Sequence, residues 1–443
     1  MASRGKMMGK TSFDTIEDNA HGYASMAVTE LYTSSPNESY LVEPGLQDVP
    51  RSCRDYIRYC EWPLRALSLS SPLTMRPVHQ ELSKECVVYS NSSFNPFLSL
   101  MPLAPSSQAL SHIMISISAF HIAHRLDISQ AQLQPGYSEV VRIALLNKQK
   151  ALRYLKHELR VQPEINTDAV IAAVLLFVNL DVVEFGGRGL NISILLVQRK
   201  SPAANEESHR TDSFRFGILG STLVPSHSLR VAPMPLDTGL LDTLRRSEQQ
   251  TWIGCPADLL SLLHVMNTLR AVSDHSSHAD ETVTSILDGL DNFSPRSWAH
   301  DFPDPQHYES RYHLAHAYKA AVSVYAVQII AELSSPPSSF FSDAFRLIEL
   351  GISHMSQIQA SDFHIKSLVW PAFVLGAGAQ ELQTREDVRN IMHNIWVSSC
   401  CYNVRTALWM LETIWEWGQD GNEGRKQSWL RFIWEQGESW LFL

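Results

Sequence analysis

Cysteine is scarce in this chain: six residues in 443, at Cys53, Cys60, Cys86, Cys255, Cys400 and Cys401, with no C-x-x-C among them. A secreted disulfide framework is short and cysteine-dense, so this scatter excludes one and leaves free thiols in a reducing compartment. Charge is thin as well, 19% of residues against 44% hydrophobic, where soluble proteins carry about 25% charged residues. That balance excludes a highly solvated, disordered chain. Cations are in deficit: 36 Lys and Arg stand against 46 Asp and Glu, a net charge of −10. Wholesale non-specific binding to nucleic acid or anionic membrane needs the opposite sign. The longest apolar run, Val170 to Leu180, contains Asn179 and precedes Asp181, and it is about half the length of a membrane span. The first residues carry charge with no apolar stretch behind them, so no secretory leader and no membrane contact are expected.

Patterns that carry catalysis are equally sparse. G-x-S-x-G does not occur, which removes the nucleophile elbow. Gly186-Gly187-Arg188-Gly189 lacks the Gly-Lys-Ser/Thr of a P-loop and the strand that precedes a dinucleotide turn, and reads as a helix-ending turn. Asp288-Gly289-Leu290-Asp291 holds too few carboxylates for a D-D-x-x-D magnesium cluster. His-x-x-His occurs at His121/His124, His275/His278 and His313/His316. Each pair shares a helix face, but a zinc ion needs at least three protein ligands and no third sits at a matching spacing. Cys53 and Cys60 fall short by the same count. The C-terminal tryptophans, Trp409, Trp415, Trp417, Trp429, Trp434 and Trp440, are best explained as anchors of helix packing. No catalytic, cofactor-binding or metal-ligating residue is assigned, and no cofactor is expected.

What the chain does contain is helical periodicity. Residues 1–50 mix Ser, Pro, Asn and acidic residues without it and read as a poorly ordered lead-in. From about residue 51 the pattern turns helical. Ser106 or Ser107 can cap a helix to about Leu126, and Pro135-Gly136 precedes one to about Arg160. In that second helix Val141, Leu145, Leu152, Leu155 and Leu159 fall on one face, which predicts a buried stripe. Asn166-Thr167-Asp168 opens a helix that is apolar all round, the mark of an element inside a packed domain. Residues 186–236 are the least helical, reading as a long loop or insertion. Helical patterns then resume at about 237–250, 256–272, 279–290, 307–333, 340–358, 384–399 and 401–417. The expected fold is all-α, about twelve helices in one large domain spanning 51–443, atypical at 188–236.

Several short stretches, in order, resemble the regulatory domain of fungal-specific transcription factors, the middle-homology region that follows a six-cysteine, two-zinc DNA-binding cluster. Tyr89 to Phe97 with Pro102-Leu103-Ala104 looks like that domain's opening loop. Ser118-Ala119-Phe120-His121-Ile122-Ala123-His124-Arg125 resembles its first core helix, Ala144 to Leu152 the next, and Thr167 to Leu180 the third. Trp370-Pro371-Ala372-Phe373-Val374-Leu375-Gly376 is similar to its late Trp-Pro motif, and Trp415 with Ser439 to Leu443 to its end. These motifs are scaffold, so no active-site residue is carried over.

The resemblance implies a nuclear transcription regulator without enzymatic turnover. Its helical domain would bind a small-molecule effector or a protein partner, as a homodimer or a heterodimer with a complete zinc-cluster factor. The alternative is an all-α enzyme or small-molecule binder unrelated to transcription. Two departures stand out. No six-cysteine cluster lies upstream of residue 85 in this sequence, as in a truncated gene model or a regulator that has lost its reader, so direct DNA binding by this chain is not expected and DNA is met only in the family context or through a partner. Residues 188–212 also read unlike the family's next core helix, as though replaced, for example through a retained intron, before the pattern returns at Phe216 to Ser221.

Overall fold

The computed structural model describes residues 100–128, 136–161, 167–184, 207–229, 238–248, 253–271, 278–302, 304–333, 338–418, 428–436 and 440–442. The lead-in at 1–50, the start of the helical region at 51, Cys53, Cys60, Cys86, Gly186 to Gly189, 190–206 and His275 lie outside these residues. The chain is all-α: among the described residues there are fourteen α-helices, four short 3-10 helices and no strand.

The first three helices build one core. Ser107 accepts the Leu110 N–H at 3.1 Å and so caps α1 (Gln108–Ile128), as its sequence position predicts. Glu158 of α2 (Gly136–Val161) reaches the same helix start, accepting from the Ser107 hydroxyl at 2.8 Å and the Ala109 N–H at 3.2 Å. A carboxylate there satisfies donors that have no intrahelical partner. Ser116 donates to the Ala144 carbonyl at 2.8 Å, locking α1 to α2.

The stripe expected on α2 is corrected. Leu145 and Leu152 are about half exposed, while Ala144, Asn147, Ala151 and Leu155 face the core. Small residues win the inner face because they let α2 lie close against α1, and the larger leucines one position along are turned outward.

α3 (Thr167–Glu184) behaves as its composition requires. Every residue from Ile171 to Leu180 is buried. Most of them, including Leu175, Leu176 and Phe177, line the first core, whereas Val178 and Val182 line the second. One helix is thus a wall shared by both cores.

The second core holds the remaining helices: α4 (Glu207–Thr222), α5 (Thr238–Arg246), α6 (Ala257–Ala271), α7 (His278–Asn292), α8 (Pro295–His300), α9 (Tyr308–Leu333), α10 (Ser338–Ser356), α11 (Val369–Ala377), α12 (Leu382–Ser399), α13 (Asn403–Trp417) and α14 (Trp429–Glu435). α4 corrects the expectation of a non-helical stretch over 186–236. Its polar first turn masks the pattern, but Phe216, Ile218 and Leu219 are buried in the second core. α9 runs through this core, with Leu314, Tyr318, Ala321, Val322, Tyr325 and Ile329 all buried. Of the apolar stripe that the sequence places on α13, Ala407, Leu411, Ile414 and Trp415 are buried and Leu408 is partly buried against the same core.

Cations fasten the helix ends of this core. Arg270 donates to the carbonyls of Ser221 and Thr222, each at 3.2 Å, and of Val224, all at the end of α4. Arg215 donates to Leu244 at the end of α5 and to Cys255 before α6. Arg311 donates to Ala299 at the end of α8 and to Asp304. Lys319 reaches Phe293, just past α7, at 2.9 Å. The last carbonyls of a helix have no partner along the helix and carry the negative end of its dipole, so a buried cation satisfies both. Glu248 does the reverse, accepting the Ala257 N–H at the start of α6 and the Trp298 indole N–H at 3.0 Å.

Candidate functional site

A cluster of titratable side chains lies at the first turns of α9. Two groups meet there. In the first, His307 closes the 3-10 turn Pro305–His307, while Asp362 and His364 begin the 3-10 helix Phe363–Leu368. Their metal-competent atoms all lie within 4.8 Å of one another. Asp362 Oδ1 accepts the His364 backbone N–H at 2.8 Å and pairs with His364 Nδ1 at 2.7 Å, and Oδ2 accepts the Ser310 hydroxyl. These donors hold the Asp362 carboxyl well below the usual range, overcoming a burial effect that pushes the other way. Burial pulls His364 down despite the aspartate beside it.

The second group is imidazole on imidazole. His313 and His316 of α9 meet His354 of α10, with His313 Nδ1 and His354 Nδ1 2.8 Å apart. His316 stacks on His354 at 4.1 Å between ring centroids, and the Tyr312 ring edges against His316 at 4.5 Å. Burial lowers all three pKa values, and the neighbouring imidazoles push His316 to about 4. Two rings facing through nitrogens need one donor and one acceptor, so neutral imidazoles fit this packing and doubly charged ones do not.

Sequence spacing showed one half of this arrangement. His313/His316 was visible as a pair, but His354 comes from another helix. His307 and the Asp362/His364 pair are separated along the chain by α9 and α10, and no local motif announces them. The other pairs divide. His121 and His124 are both buried in α1. His124 donates to the Val183 carbonyl at 2.9 Å and packs against Trp396 and Tyr402, a packing role. His275 lies outside the described residues. Asp288 and Asp291 sit on α7, where the Asp291 carbonyl accepts from Lys319 at 3.5 Å. Of the terminal tryptophans, Trp415, Trp429 and Trp440 are buried, whereas Trp409 is half exposed.

The profile of the fungal-specific transcription factor domain matches residues 79–190 and 209–443. The chain belongs to that family. Among the described residues of this fungal-specific transcription factor domain the motifs that carried the resemblance are structural, while Tyr89 to Phe97 and Ser439 lie outside them. Ser118 to His121 lie buried in α1. The Trp370 indole N–H donates to Thr222 Oγ1 at 3.0 Å, tying α11 to the end of α4. Gly376 is a close approach: a Cβ there would stand 2.8 Å from Val388 Cγ1 and 3.1 Å from a Leu411 methyl, and its carbonyl accepts the Trp415 indole N–H at 2.8 Å. The match breaks at 191–208, inside the stretch that reads unlike the family.

The acriflavine sensitivity control protein acr-2 of Neurospora crassa is 22% identical over 399 residues, covering 82% of this chain and 65% of that protein. The chain thus spans just under two thirds of that relative's length. No solved structure matches.

Proposed function

We propose that this chain regulates transcription in the nucleus, with its helical body acting on a protein partner or an effector and with DNA met through a zinc-cluster partner. The observation that carries this reading is the family match over both cores, residues 79–190 and 209–443. The net charge of −10 supports DNA contact by way of a partner, since a reader needs a cationic face. The family's motifs pack as scaffold, which supports regulation rather than turnover.

The test is chromatin immunoprecipitation of the tagged chain, with and without candidate zinc-cluster partners, beside imaging of its location. Nuclear signal and promoter occupancy that depends on a partner are expected. Occupancy by the purified chain alone on naked DNA would overturn the partner route. A reproducible turnover abolished by one substitution at the α9 end would overturn the regulator reading.

A further inference from the structure

We propose that His307, Asp362 and His364 form a binding site for a divalent transition-metal ion of the zinc class. The donor set is two imidazoles and one carboxylate. That is the composition of an open three-ligand site, in which the fourth position is left to water or an exchangeable ligand. The ligand atoms already lie within 4.8 Å of one another, and bonds of about 2.1 Å to a tetrahedral ion bring ligands to about 3.4 Å apart. The site therefore closes by about an ångström.

The structure says which side chain moves. Asp362 and His364 are already placed: the aspartate is held by the His364 backbone N–H and the Ser310 hydroxyl, the proton it shares with His364 Nδ1 is released to solvent when an ion takes the pair, and His364 is fully buried. His307 is half-buried at the end of a three-residue turn, with its ring edge-on to Phe363 at 4.6 Å. Two placed ligands and one adjustable ligand suit capture of an ion from solution. Ser310 supplies the outer hydrogen bond that orients a ligating carboxylate. The Arg311 charge acts on His364 from nearby, which tempers affinity without removing a ligand. An ion bound here would join the turn that starts α9 to the 3-10 helix that leads straight into α11 and Trp370.

The competing location is one turn along, at His313 and His354. The experiment is therefore a zinc chloride titration by calorimetry on the full chain, without a polyhistidine tag and stripped with chelator. It uses wild type, His307→Ala and His313→Ala, each checked for native helicity by circular dichroism. His307 is half-buried on a short turn, so His307→Ala is expected to fold. The expected result is one zinc per wild-type chain, unchanged in His313→Ala and weakened by about tenfold or more in His307→Ala, since losing a ligand costs at least as much as losing an outer-shell partner. Cobalt substitution gives a second readout: visible absorption of a four-coordinate site in wild type and its loss in His307→Ala. No zinc binding by wild type, full binding by His307→Ala, or a loss in His313→Ala equal to that in His307→Ala would each overturn the proposal.

Discussion

Arg270 carries a full charge in a buried position, and its hydrogen-bond acceptors are carbonyls, the Asn267 amide oxygen and the Tyr325 hydroxyl at 2.6 Å, with the Trp434 ring 4.4 Å beneath its guanidinium. Removing it strands several buried carbonyls, each costing about 1–3 kcal/mol. Arg270→Met should therefore lower stability by about 3 kcal/mol or more, read as a fall in the urea midpoint. Arg270→Lys should recover little of this, because one ammonium cannot span a fork of acceptors. Trp370→Phe, losing one indole bond, should cost about 1 kcal/mol. Protons act at this scale too. Burial first, then the charges of His121 and Arg405, brings His124 to about 4 against the opposing bond to Val183, and His316 is brought to about 4 as well. A folded pKa below the unfolded value means the unfolded chain takes protons first. That stability is complete above about pH 6.5 and is lost as pH falls through about 4. Glu248 runs the other way: burial raises it to about 7, so its contribution is complete below about pH 4.5 and lost as pH rises through 7. Urea midpoints from pH 4 to 8 should show His124→Gln flattening the acid limb and leaving the neutral limb unchanged.

Among the elements, α3 and α2 mark what a sequence can and cannot disclose. α3 is apolar on every side, so its interior position was legible from composition alone. The ends of α1, α9 and α13 were legible because caps, prolines and periodic core residues agree there. α2 was half legible. Its existence and bounds follow from Pro135-Gly136 and its periodicity, but its inner face was misjudged because periodicity weighs leucine above alanine, and close packing prefers Ala144 and Ala151. Leu152→Gln should accordingly change stability by less than about 0.5 kcal/mol, whereas Leu176→Ala in α3 should cost about 2–5 kcal/mol, both read by urea unfolding. α8, α11 and α14 went unseen because six to nine residues hold few turns, and nine-residue α5 showed only because the helical pattern runs past it to about 250. The α9 end was least visible of all, since its partners come from segments that only tertiary structure brings together.

For the molecule as a whole, the shared wall sets cooperativity. Val178 and Val182 stand in one core while Leu175 and Leu176 stand in the other, so neither core can open without exposing part of α3. At this size separate melting steps are common. Here calorimetry should show a single transition for the described body, and two resolved peaks would mean that α3 does not couple the cores. The clamps on helix ends carry a different consequence. A carbonyl has no proton to gain or lose over any cellular pH, and a buried contact is little screened by salt. The carbonyl joint set by Arg270 therefore keeps its strength while the surroundings of the protein change, whereas Arg215 stands beside Glu248 and Arg311 beside His364. Imidazoles, by contrast, are crowded at one end of α9. A chemical signal arriving there can be registered locally without acting on the carbonyls that the Arg270 joint holds.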